Sequence, residues 1–154
     1  MREILFKAKT TKKGDDIKEF NNIWVEGDLI ESNGKFYIKP KCNIVNVRYE
    51  VGACVIMYEV QMDTICRFTG LTDKNGKRIW ENDIVKYHFG EDVAQIKFGE
   101  YQSCFDNTKT CHVGFYVDWK KDYRKDLGYW VKMIDCNVIG NIFDNPELLE
   151  GSNT

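Results

Sequence analysis

The chain has 154 residues and a formal charge of −2, from 22 Lys+Arg against 24 Asp+Glu. A 43% hydrophobic and 14% aromatic composition is too rich for a disordered chain, and the slight acidity argues against a general nucleic-acid binder, which carries a basic balance. No apolar run reaches the roughly 18 residues of a membrane span, and Met1-Arg2-Glu3-Ile4-Leu5-Phe6-Lys7 has no apolar signal core. A soluble cytoplasmic globular protein is expected.

Strand patterns dominate the first half. Ile4, Phe6 and Ala8 alternate with Leu5, Lys7 and Lys9, predicting a strand with one wet face. A polar loop follows over 10–22. Ile23, Val25, Gly27 and Leu29 then alternate with Trp24, Glu26, Asp28 and Ile30. Asn33-Gly34 fits a primed hairpin turn, in which both central residues take positive φ. Phe36 and Ile38 lie on the return strand, and Pro40 ends it or places it at an edge. Two further strands are expected over 42–50 and 54–61, with a short apolar stretch at 65–68. The turn-rich Gly70-Leu71-Thr72-Asp73-Lys74-Asn75-Gly76-Lys77 has Asn-Gly at its tip, a strong hairpin signal, and marks the best internal boundary.

In the second half, Asn82-Asp83 reads as a tight turn feeding a strand with Val85, Tyr87 and Phe89 inward and Ile84, Lys86 and His88 outward. A hairpin through Gly90-Glu91-Asp92 returns as Ala94, Ile96 and Phe98. Val113, Phe115, Val117 and Trp119 alternate on another strand, and the last strands are expected at 128–133 and 137–143. Asn145-Pro146-Glu147 then carries helix-start chemistry: Asn as N-cap, Pro at the first helical position, Glu in the first turn. The expectation is an all-β protein, a small barrel or sandwich with a short C-terminal helix. An N-terminal β-meander subdomain (1–68) precedes a C-terminal barrel-like subdomain (69–154).

Three segments resemble the YopX family: Arg2-Glu3-Ile4-Leu5-Phe6-Lys7-Ala8 at the start, the long central run from Phe68 to Val85, and the closing run from Val138 to Leu149. The resemblance implies a predominantly β protein encoded by bacteriophages or prophages, with no established activity and no catalytic residues to carry over. Where such families usually have Glu-Gly-Asp, this chain has Glu81-Asn82-Asp83. Asn is the next-best residue for a left-handed position, so Asn82 is expected there. The signature reads as turn chemistry: Gly70, Asp73, Asn75, Gly76, Asn82 and Asp83 shape bends, and Asp83 bonds neighbouring backbone N–H groups. The strand after this turn also resembles the start of an SH3-like barrel, an analogy that gives no function.

Candidate chemistry is sparse. Six cysteines (Cys42, Cys54, Cys66, Cys104, Cys111, Cys136) contain no Cys-x-x-Cys pair, so they read as reduced small hydrophobes. Cys104-x6-Cys111-His112 with Cys136 lacks the tight pairing of structural zinc ligands. His88 and His112 are the only histidines, and His112 cannot pair with Cys111, because strand neighbours point to opposite faces. No enzyme, metal or cofactor is expected. The run from Asp118 to Asp126 interleaves Lys120, Lys121, Tyr123, Arg124 and Lys125 with aromatic and acidic residues, as a stacking-plus-phosphate surface would, but its four bases meet three acids. The favoured class is a protein-interaction or self-assembly module, as a homo-oligomer or with a host or phage protein. Its many aromatics, Trp24 and Trp80 among them, suggest an exposed cluster. A nucleic-acid-binding accessory protein is the alternative.

Overall fold

In the computed structural model, which describes residues 4–11, 21–41, 56–87, 91–102, 107–108, 110–120 and 123–150, Asn33 and Gly34 both take positive φ, 53° and 72°. The primed turn expected there sets the register of the first hairpin, β2 (Trp24–Ser32) against β3 (Lys35–Pro40), with Ser32 opposite Lys35 and Gly27 opposite Pro40. The strand predicted at 42–50, the loop at 12–20, His88, Phe89, Lys121 and the cysteines at 42, 54 and 104 lie outside the described residues.

The chain divides into two units, Met1–Arg67 and Phe68–Thr154. In the first, β1 (Phe6–Lys9), β2, β3, β4 (Tyr58–Val60) and the start of β5 (Cys66–Thr72) lie in the order β4-β3-β2-β1-β5, all neighbours antiparallel. The register puts Phe6, Ala8, Val25, Leu29, Phe36, Ile38 and Val60 on one face, and these build the core of this unit. Gly27 is required on that face: a Cβ there would stand 2.0 Å from the Lys39 carbonyl oxygen. Past its pairing with β5, the same edge of β1 meets β4. Gln61 donates to the Lys9 carbonyl (2.8 Å), Thr11 to that of Glu59 (2.9 Å), and Thr10 bridges Val60. A 3-10 turn (Met62–Thr64) joins β4 to β5 along this edge, and its buried Thr64 hydroxyl oxygen accepts from the Lys9 amide (2.9 Å). The alternation predicted for the N-terminus fails at both ends: Leu5 is buried and Ile4 exposed, and Lys9, expected on the wet face, is buried.

In the second unit, β5 continues into a hairpin with β6 (Arg78–Trp80). The antiparallel sheet of β7 (Asp83–Lys86), β8 (Val93–Tyr101), β9 (His112–Asp118) and β10 (Asn137–Asn141) has the order β10-β7-β8-β9. The mostly β fold is therefore as expected, barrel- or sandwich-like, but the described strands form no closed barrel. Ile84 and Val85 are both fully buried. The predicted outward face of β7 is thus wrong at Ile84, because an inner strand covered on both sides shows consecutive apolar residues instead of alternation.

The segment predicted as a strand at 128–133 is a helix, α1 (Leu127–Met133). Its Tyr-Trp-Val run has strand-like composition, but Leu127, Trp130, Val131 and Ile134 recur at helical spacing and pack on the core with Val85, Ile96 and Val117. The predicted terminal helix is present as α2 (Glu147–Glu150), with the Asn145 carbonyl accepting from Leu148 (3.2 Å) and that of Pro146 from Leu149 (3.1 Å).

Candidate functional site

The signature turn between β5 and β6 is a hairpin of a different type from the one Asn75-Gly76 suggests. Gly76 is left-handed (φ 79°) and Asn75 is not. The Asp73 carbonyl accepts from Gly76 (3.0 Å) and the Asp73 amide donates to Lys77 (2.8 Å), the pattern of a three-residue loop ending in a glycine bulge. This geometry aims the buried Asp73 carboxylate inward. One oxygen accepts the amides of Asn75 and Lys77, both at 2.9 Å, and the other accepts the amide of Val138 on β10 at 3.2 Å. Asn75 Nδ2 adds a bond to Asn137 Oδ1 (3.3 Å). Gly70 is also left-handed (φ 82°), and Thr69 beside it donates to the Ile79 carbonyl (2.7 Å).

At the second signature turn Asn82 has φ 67°, the left-handed conformation expected for it. Its amide donates to Ile96 (2.8 Å), its carbonyl accepts from Ile142 (3.1 Å), and its side-chain oxygen accepts from Gln95 Nε2 (2.9 Å). Asp83 is buried and takes the Trp80 amide on Oδ2 (2.8 Å). The closing segment folds on the same pattern: Asn141 Oδ1 accepts the amides of Phe143 (2.9 Å) and Asp144 (3.0 Å). The central and closing signatures, more than 50 residues apart in sequence, therefore meet at the β7–β10 side of the sheet, and the bonds between them run largely to backbone. Cys136 is buried in the core below; burial first, and then the Asp73 charge, push its thiol up to about 11. Cys111 is exposed. Among the described residues no group of three or more His, Cys, Asp or Glu is placed to hold a metal ion.

The described residues of the basic–aromatic loop turn to different partners. Tyr123 joins Tyr87, Trp119 and Trp130 in a cluster where all six ring pairs lie 4.8–6.1 Å apart between centroids. Its hydroxyl donates to Asp92 (3.1 Å), and hydrogen bonding to Tyr87 and then Asp92 pushes it up to about 12. Arg124 lies over the Tyr129 ring (4.8 Å) and within 3.8 Å of Asp126. Lys125 lies 5.8 Å from the Tyr116 ring and 3.8 Å from Asp118. Lys120 reaches the Leu149 carbonyl (3.3 Å). Trp130 Nε1 donates to the Arg124 carbonyl, whereas the buried Trp119 Nε1 has no partner among the described residues.

Trp80, expected near the surface, is buried against Phe68 with centroids 5.3 Å apart. Trp24 is half-buried under the ammonium groups of Lys7 (5.0 Å) and Lys9 (5.4 Å). Exposed apolar side chains do occur on the β8–β9 hairpin, as they do at Ile4, Ile56, Met62 and Met133. Phe98 pairs with Phe115 (centroids 5.0 Å) and Glu100 with Val113 on the face that, one pair earlier, buries Ile96 and Val117. Phe98 is 41% exposed and Val113 70%. The opposite face carries a stack of rings, His112 on Tyr101 (5.5 Å) and Tyr101 on Tyr116 (5.3 Å), beside the Gly99–Gly114 pair. The predicted alternations identify the residues of the apolar face; that both strands run on past their core does not follow from alternation.

No helix among the described residues is long and apolar enough to cross a membrane, a statement that does not bear on spans made by strands. Comparison with curated proteins finds no match. The family described as YopX protein matches residues 17–150, a span that contains both signature turns and the closing segment and leaves the opening Arg2–Ala8 outside. The chain belongs to the YopX family.

Proposed function

We propose that the chain is a non-catalytic protein-interaction module of phage or prophage biology, working in the bacterial cytoplasm. The observation that carries this reading is the exposed apolar face of the β8–β9 hairpin, where Phe98 and Val113 extend a core stripe past the half-buried Phe115 into solvent. A pair of long strands with apolar residues beyond their own core favours a protein partner over solvent. The signature residues fit the reading by what they bond: the carboxylates of Asp73 and Asp83 hold backbone amides, a scaffold role instead of acid–base work. The phage setting comes from the family resemblance.

Cross-linking in cells followed by mass mapping tests it. The expected cross-links join the β8–β9 hairpin to protein, either a second copy or a different chain, and Phe98→Ser removes them while leaving the circular dichroism spectrum unchanged. A monomer without protein cross-links on this hairpin overturns the reading. If such a monomer also gives a salt-sensitive shift of single-stranded DNA, lost when Lys120, Lys121 and Arg124 are changed to Glu, the nucleic-acid alternative takes its place.

A further inference from the structure

We propose that two copies of this chain pair through β9, antiparallel and two-fold symmetric about Val113. This pairing rests on the interaction-module reading and gives that module a specific partner and register.

Three observations point to this pairing. The first is the direction of the backbone. The Val117 amide points away from β8, since it donates to the Lys125 carbonyl (2.9 Å). Backbone groups along a strand alternate sides, so the amide and carbonyl of Val113 point outward too. The bridge of Tyr116 to Asp126 occupies the far end of this edge, so the proposed pairing is centred before it, on Val113, and spans about five residues.

The second observation is charge. Cys111-His112-Val113-Gly114-Phe115-Tyr116-Val117 has no Lys, Arg, Asp or Glu in a chain that is 30% charged. Edge strands are normally guarded by charge, proline or a bulge. An uncharged strand accepts an identical copy with no like-charge repulsion across the new pair.

The third is shape. Two-fold pairing about Val113 places Val113 opposite its own copy, His112 opposite the partner's Gly114, and Phe115 opposite the partner's Cys111. Large side chains meet small ones. Gly114 has open space where a Cβ would stand, on the face where the incoming His112 ring would lie. On the other face Phe98, Phe115 and Val113 of the two copies would form one continuous apolar strip across the joined sheet.

The test uses the full chain. Light scattering should find a dimer, and Val113→Lys, which sets like charges face to face across the two-fold, should weaken association by at least about tenfold with unchanged circular dichroism. Val113→Cys in a Cys111→Ser background should form a disulfide to its own copy on mild oxidation, because Cα atoms of a hydrogen-bonded antiparallel pair lie about 5.5 Å apart, within disulfide range. Peptide mapping should recover position 113 joined to position 113. A chain that is monomeric by itself, or a dimer that survives Val113→Lys, overturns the pairing. In those cases hairpin cross-links to another protein, abolished by Phe98→Ser, would still uphold the interaction module.

Discussion

The two edges of the four-stranded sheet are finished in opposite ways. At β10, the Asp73 carboxylate takes the Val138 amide and Asn75 bonds Asn137. At β9, Asp126 bridges Tyr116, and the strand before that bridge is where the proposed second copy pairs. The central and closing segments of the family signature lie on the β10 side. Their polar residues finish an edge, whereas the proposed docking surface lies on β8 and β9, whose sequence carries no such signature. What marks the family and the surface proposed for a partner are therefore different parts of the sheet.

The largest effect should come from breaking the finished edge. Asp73→Ala removes one carboxylate from three backbone amides, at Asn75, Lys77 and Val138. Leaving buried donors without an acceptor costs about 1–3 kcal/mol each, and water reaches the exposed turn more easily than β10. A loss of about 3 kcal/mol is expected, read from the urea midpoint. Asp73→Asn keeps one acceptor oxygen and should recover part of it. A loss below about 0.5 kcal/mol would mean that the β10 edge does not depend on this clamp.

A smaller effect is expected at Asn82. With φ 67°, a β-branched residue is strained by about 1–3 kcal/mol, so Asn82→Val should cost about 2 kcal/mol in the same measurement. Asn82→Gly relieves the left-handed backbone and removes the Gln95 bond, two changes that oppose each other; its net effect should stay within about 1 kcal/mol. The open edge behaves differently. Val113→Lys, which should abolish pairing, should change monomer stability by less than about 0.5 kcal/mol, as exposed substitutions do.

Much of this contrast can be read from the residues. Asn33-Gly34, Asn82 and Asn145-Pro146 announce turns and a helix start because each has a narrow conformational role that holds in any setting. Asn75-Gly76 announces a hairpin but not its type: Asp73 captures the amides of Asn75 and Lys77, and this favours the longer loop. α1 escapes because Tyr129, Trp130 and Val131 suit a strand as well as a helix, and only packing of Leu127, Trp130 and Ile134 on the core decides. The exposed site escapes for a related reason. Alternation places Phe98, Phe115 and Val113 on the core face, while the extent of the core that faces them is set by α1 and the sheet order. Lys120, Tyr123, Arg124 and Lys125 look like a surface in one dimension, yet the chain turns each toward a different partner: Leu149, Asp92, Tyr129 and Tyr116.

The smallest effect concerns the covered end of β9, where the segment that passes Tyr123 lays Lys125 and Asp126 along the strand. Hydrogen bonds to Tyr87 and Asp92 raise the Tyr123 hydroxyl from its ordinary 10.0 to about 12. A group whose proton is held more tightly in the folded state contributes stability that is whole below its unfolded value and disappears as pH rises through its folded value. The window is therefore about pH 10 to 12, and the sign is a loss toward alkali. The informative quantity is the difference between the native chain and Tyr123→Phe. The variant should begin less stable near neutrality and converge on the native chain as pH rises through this window, measured by urea midpoints at a series of pH values. A difference that does not shrink with pH would place the contribution of Tyr123 in its ring contacts with Trp119 and Trp130, and its hydroxyl would then have no part in holding the cover on β9.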